Sequence, residues 1–253
     1  MRYLLTCPAR TGSTMLSRYL KSHPDVCAHG EVLAPSGPLD FYGVNYRVDP
    51  PLELVLLGRR DRDPVAFLWE FVWQAGGRRA VGFKGKYEEL LLPQYAMVLE
   101  EISRDTDIRI LHLTRDNLLE RYLSQHLAVH VHGVYEAHLG DARPEQARVR
   151  LSPEECEEDF RRTEERQASF RAMLRKHEVL ELSYEQLVGE RKHTLARVQA
   201  FLGVQERELT TKSVRLRTRP VREVVENYEE LAKRFRGTRY GVFFEPGPAA
   251  DHG

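Results

Sequence analysis

An α/β fold, a mostly parallel sheet flanked by helices on both faces, is what this sequence predicts. The first observation is a set of short apolar runs, Tyr3–Leu5, Ala80–Phe83, Ile108–Thr114 and Val179–Leu182, of the length and content of buried strands. The second is that longer segments with helical spacing separate them, and a strand–helix alternation implies crossover connections and parallel pairing. The third is size. A chain of 253 residues with 42% hydrophobic content suits one large α/β domain, expected over 1–245, with the Pro/Gly/Ala-rich 246–253 as a flexible tail.

Each element has its own justification. After the first strand, Met15, Leu16, Tyr19 and Leu20 recur on one helix face. Ser22-His23-Pro24-Asp25 stops that helix, and residues 26 to 31 return as a short extended piece that should bring His29 and Glu31 close to Arg10. From Ala34 to Pro51 the chain is rich in Pro, Gly and Asp with aromatics interspersed (Phe41, Tyr42, Tyr46), and reads as part of an acceptor pocket or its lid, or as a surface loop. Asp63-Pro64 is a cap followed by proline at the first helical position; Phe67, Leu68, Phe71 and Val72 supply the apolar stripe, widened by Trp69 and Trp73 as core residues. The second strand ends at Lys84-Gly85-Lys86. A helix over Pro93–Asp105 should turn Met97, Val98 and Ile102 inward. The strand at 108–114 leads into Arg115 and a helix from about Leu118 to Val131, then an insertion from His132 to Arg150. Ser152-Pro153-Glu154-Glu155 opens the longest helix, to about His177. After the strand at 179–182, a helix from about Lys192 to Leu202 ends at Gly203, and the last element spans about Val221 to Phe235.

The chemistry concentrates at Cys7-Pro8-Ala9-Arg10-Thr11-Gly12-Ser13-Thr14. A loop joining a strand to a helix start offers backbone N–H groups without intrahelical partners and the positive end of the helix dipole, which together hold a phosphate. Gly12 permits close backbone approach, Ser13 and Thr14 add hydroxyls, and Arg10 adds charge. The ATP/GTP loop pattern is absent, because its first Gly and its Lys are missing. Lys84 and Arg115 also follow strands, at the end of a parallel sheet where ligands gather. Arg236-Gly237-Thr238-Arg239-Tyr240-Gly241 is a basic, glycine-spaced loop that can wrap a phosphate or simply turn.

Composition excludes several classes. Lys plus Arg balance Asp plus Glu at 38 each, so no global field attracts nucleic acid. Three cysteines without close-pair spacing argue against a disulfide framework or structural zinc. With no leader pattern and no apolar run of bilayer length, the expectation is a soluble cytoplasmic protein. Cys7 reads as a small core residue rather than a phosphatase nucleophile, since position 13 is Ser where such a loop needs Arg. His130 and His132 lack a third metal ligand.

Taken in order, these motifs resemble the sulfotransferases that use 3′-phosphoadenosine 5′-phosphosulfate (PAPS), particularly the bacterial carbohydrate- and lipid-modifying group near the trehalose and nodulation-factor enzymes. Pro8 to Thr14 with Leu16 and His23-Pro24-Asp25 is similar to that family's 5′-phosphosulfate loop. Arg115 with Ser124 is similar to its 3′-phosphate pair, although the spacing is one position longer than usual, so that Asn117 or Arg121 becomes a candidate to share the contact. Tyr184-Glu185 is similar to the pair near the adenine, and Asn227 to Tyr240 to the tail of the bacterial group. Many members carry Lys where this chain has Arg10.

The resemblance implies a P-loop-like α/β fold and in-line, metal-free transfer of a sulfuryl group from PAPS to a hydroxyl, leaving adenosine 3′,5′-bisphosphate. Glu31 takes the general-base position of the family, with His29 as the alternative, while Arg10 and Lys84 neutralise the leaving phosphate. Donor binding falls to Arg10, Thr11, Gly12, Ser13, Thr14, Arg115, Ser124, Tyr184 and Arg239. The acceptor, a carbohydrate, glycolipid or small metabolite, stays open, as does oligomeric state. A nucleotide-dependent kinase on the same fold and a non-catalytic nucleotide-binding protein are the rivals.

Overall fold

The computed structural model describes residues 1–35, 39–41, 50–133, 147–212 and 219–245. Tyr42 and Tyr46 of the proposed acceptor loop, most of the insertion after His132, and the 246–253 tail lie outside them. The described chain divides into two compact units, one from residues 1–114 and 167–211, the other from 115–166 and 212 onward.

The first unit carries the sheet. Strands β1 (Arg2–Cys7), β2 (Val26–Ala28), β3 (Ala80–Lys86), β4 (Ile108–Thr114) and β5 (Val179–Ser183) pair in parallel in the order β2-β3-β1-β4-β5. The expected P-loop-like α/β class is therefore observed. Side-chain alternation along the strands explains the layers. Leu4, Val81, Phe83, Ile108 and Ile110 pack with Leu56, Phe67, Val72, Val98 and Phe170 on one face. Tyr3, Leu5, Val26, Leu111 and Leu182 pack with Leu16, Leu20, Leu195 and Val198 on the other. With both faces covered, continuous apolar runs replace the alternation of a half-exposed strand.

Several expectations about elements are revised. A helix at Pro50–Arg62 replaces the end of the acceptor loop; its Leu54–Leu57 apolar run has no helical period, and Leu54 and Val55 remain exposed. The helix started by Asp63, whose Oδ1 accepts from the Ala66 N–H at 2.9 Å, changes to a wider π turn over Leu68–Val72. Trp73 is core as expected, but Trp69 is partly exposed, with the Arg2 guanidinium 4.4 Å from its ring centre. Met97 points outward, while Val98 and Ile102 are buried. The final helix is broken into Val221–Val224 and Tyr228–Phe235. No helix among the described residues is long and apolar enough to cross a membrane.

The second unit contains the Leu118–His126 helix, most of the Pro153–Met173 helix, and an aromatic cluster in which Phe160 lies 5.8 Å from Phe235 and 5.3 Å from Tyr240. Asn227 ties its backbone together, accepting from the Leu151 N–H at 3.0 Å and donating to the Leu151 carbonyl at 2.8 Å.

Candidate functional site

Strand β1 ends at Cys7, and the chain turns through residues 8–12 before the Ser13–Lys21 helix begins. Arg10 and Gly12 both adopt positive φ, 69° and 81°. A turn of this kind aims successive N–H groups to one side, the geometry of an anion-binding concavity. Arg10 is the only described non-glycine residue with positive φ, and such strain persists only where the surroundings over-determine it. Thr11 is fully buried and its hydroxyl donates to the Pro8 carbonyl at 3.0 Å, so it braces the turn and offers only its backbone to a ligand. A Cβ on Gly12 would lie 2.7 Å from Cδ2 of Tyr184, which places the Tyr184 ring directly over the loop. Ser183 fixes that tyrosine through a capping box with Gln186, both bonds 3.2 Å. Cys7 is buried, and burial raises its thiol to about 11, in keeping with a core residue.

Lys84 and Glu31 meet beside this turn. The Lys84 ammonium is buried, donates to Thr14 Oγ1 at 2.8 Å and stands 2.9 Å from Glu31 Oε1. Glu31 Oε2 stands 2.9 Å from Lys86, which also reaches Glu89 Oε1 at 3.0 Å. Burial works to raise the Glu31 pKa, but the two ammonium groups outweigh it and hold the carboxyl down to about 2. Glu89 shows the reverse balance: burial dominates over Lys86, with Glu31 adding repulsion, and the carboxyl rises to about 7. Sequence reasoning nominated Lys84 and missed Lys86 and Glu89. For Lys86 the signal was present, because residues two apart on a strand share a face; Glu89 lies on the next helix and gave none.

Glu31 meets the lysine pair beside the turn, whereas His29 is buried. His29 stacks on Phe41 at 4.6 Å, and burial lowers its pKa to about 4. It is a wall of the core. His23 of the His-Pro-Asp turn is also structural, accepting from the Asp25 N–H at 3.0 Å and lying 2.8 Å from the Gln205 carbonyl.

In the second unit, Arg115 follows β4 immediately in the chain, and its guanidinium donates to Glu120 at 2.9 Å. Ser124 lies one helical turn beyond Glu120 on the Leu118–His126 helix. Asn117 caps that helix, accepting from the Glu120 N–H at 2.9 Å and donating to the Phe243 carbonyl at 3.1 Å. Arg121 is buried against Asp159. Both therefore have structural duties. Arg239 is exposed and pairs with Glu164 at 2.7 Å.

Comparison with known proteins follows the same lines. Nodulation protein H of Rhizobium tropici is 24% identical over 245 residues, covering 96% of this chain and 92% of that protein. The same-named protein of Rhizobium meliloti (strain 1021) is 25% identical over 239 residues, covering 93% and 92%. By sequence the chain is similar to nodulation protein H. That match bears out the resemblance to the PAPS-dependent sulfotransferases carried by the motifs. Among solved structures, a sulfotransferase from Alicyclobacillus acidocaldarius covers 93% of this chain and 91% of its own at 20% identity, with a TM-score of 0.49. A mouse sulfotransferase complexed with PAP covers 96% and 87% at 13% identity, with a TM-score of 0.39. No protein-family model matches the chain.

Proposed function

We propose that the chain is a sulfotransferase that moves the sulfuryl group of PAPS to a hydroxyl of a carbohydrate, glycolipid or small-metabolite acceptor. The observation that carries this reading is the buried Lys84 ammonium, 2.8 Å from Thr14 in the first turn of the helix that the strained Arg10–Gly12 turn introduces. The residues suit such a donor. N–H groups of residues 11 to 14 converge at a helix start, Gly12 leaves room where a Cβ would collide with Tyr184, and cations stand at Arg10 and Lys84.

The donor supplies a sulfuryl group whose leaving partner is adenosine 3′,5′-bisphosphate. Loop N–H groups, Arg10 and Lys84 neutralise the charge that builds on the leaving 5′-phosphate as the bridging S–O bond breaks. Glu31 accepts the proton of the acceptor hydroxyl as that oxygen bonds to sulfur. Held at about 2 by its lysines, Glu31 is a weak base at rest. Once Lys84 turns to an anion in the cradle, one of the two charges depressing Glu31 is shared, and its basicity rises. Tyr184, over the loop, is assigned to the nucleoside. Ser13 and Thr14 complete the 5′ side, and the family's 3′-phosphate role passes to Arg115 with Ser124, with Arg239 as a further phosphate contact.

A panel of sugar, glycolipid and small alcohols, incubated with donor labelled in its sulfuryl group, tests the reading. Label on an alcohol without added divalent metal supports it. Transfer from ATP that requires magnesium, or nucleotide binding without transfer to any alcohol, would instead establish a kinase or a non-catalytic binder.

A further inference from the structure

Glu31 bridges two lysines that lie on one face of β3. Lys84 engages its Oε1 and the Thr14 hydroxyl; Lys86 engages its Oε2 and Glu89, each within 3.0 Å. Glu89 is anchored in turn, because its Oε2 accepts from the Lys86 N–H at 3.1 Å and its side chain is buried. The cluster thus has one end at the cradle and a braced end on the helix after β3.

We infer that Glu31 is an internal counter-anion, competing with the donor's 5′-phosphate for Lys84, and that Lys86 is the positioning residue that retains Glu31 when the phosphate wins. The inference rests on the donor reading above. A buried ammonium needs a compensating charge, and Glu31 provides it before any ligand arrives. Thr14 and Glu31 occupy two of the three N–H donors of Lys84, so an incoming phosphate competes with Glu31 for the same ammonium and draws it away from the carboxylate. With Lys86 in place the carboxylate keeps one close cation, so the exchange leaves no buried charge uncompensated. Without Lys86, the exchange would strand Glu31. The charged groups facing Glu31 are Lys84 and Lys86 from β3 and Glu89, which repels it as well as pairing with Lys86.

The two residues should therefore change ligand affinity in opposite directions. The experiment is calorimetric titration of the full chain with adenosine 3′,5′-bisphosphate near neutral pH. Glu31→Gln should bind roughly 5-fold or more tightly than wild type, and Lys86→Met about 5–20-fold more weakly, with Lys86→Arg restored to within about 2-fold. In the Glu31→Gln background, Lys86→Met should change affinity by less than about 2-fold, because Lys86 acts through Glu31. Should Lys86→Met not fold, Lys86→Gln keeps a donor to Glu31 without the charge and should weaken binding in the same direction. Equal weakening by the Lys86 change in both backgrounds, or no tightening in Glu31→Gln, overturns the inference while leaving the donor reading intact. If neither wild type nor Glu31→Gln binds the probe, both fall together.

Discussion

The two carboxyl groups around Lys86 illustrate how little sequence separation says about protonation. Glu31, at about 2, is ionised throughout the useful pH range, whereas Glu89, at about 7, changes charge within it. Their linkage to folding has opposite signs. For Glu31 the folded pKa lies below the unfolded value near 4.5, so its stabilisation is complete above that value and fades as pH falls toward 2. For Glu89 the folded form holds its proton longer than the unfolded form, so stability declines as pH rises from about 4.5 to about 7. Glu89→Gln should remove that decline: its stability relative to wild type should be greater at pH 8 than at pH 5, by on the order of 1–3 kcal/mol. Urea denaturation at the two pH values measures it, and an identical difference at both would show that Glu89 does not titrate there. Glu31→Gln, which keeps shape and removes the proposed base, should lower turnover by about 10²–10⁴-fold once an acceptor is in hand. Turnover within a few-fold of wild type in a folded variant would exclude Glu31 as the base.

The strands were legible because each is an apolar run with few competing readings, and the Pro8–Thr14 turn because its residue types are tied to a backbone shape. Boundaries hidden by tertiary packing were not. The Pro50–Arg62 helix has no helical period to announce it, and nothing local in Leu68–Val72 foretells a π turn. At the site, Arg10, Gly12, Lys84 and Glu31 could be nominated from position in the chain; the Lys86–Glu89 bracing could not, because it depends on which face of β3 meets the next helix. The same dependence on packing makes Gly82 indispensable to the sheet. It pairs with Tyr3, and a Cβ there would lie 2.2 Å from the Tyr3 carbonyl and 2.6 Å from its ring. Since the first obstacle is backbone of β1, no rotamer change relieves it. Gly82→Ala should cost at least about 1–3 kcal/mol by overpacking, seen as a lowered urea midpoint. An unchanged midpoint would mean that β1 and β3 can separate locally without disturbing the fold.

For the molecule as a whole, equal numbers of basic and acidic residues leave no net field to draw an anion in, so nucleotide affinity must come from local contacts and should depend only modestly on salt. Selectivity among nucleotides then reports which phosphates have dedicated partners. If the 5′-phosphate belongs to the cradle and the 3′-phosphate to Arg115 and Ser124, AMP lacks one set of charge-assisted contacts, each worth roughly 1.5–3 kcal/mol. By mass action, ligand at a hundred times its dissociation constant stabilises the folded chain by about 2.7 kcal/mol, and each kcal/mol raises Tm by about 2–4 °C at this size. Adenosine 3′,5′-bisphosphate should therefore raise Tm by several degrees more than AMP or ATP at equal concentration. Arg115→Ala should erase most of that preference while leaving the smaller AMP shift in place. Since Arg115 is paired with Glu120, the variant removes that partner of the carboxylate, and Glu120→Gln in the same background separates the loss of a phosphate contact from the repulsion by that acid. Equal shifts with AMP and adenosine 3′,5′-bisphosphate in wild type would show that the 3′-phosphate has no partner of its own, and would remove Arg115 and Ser124 from the donor site.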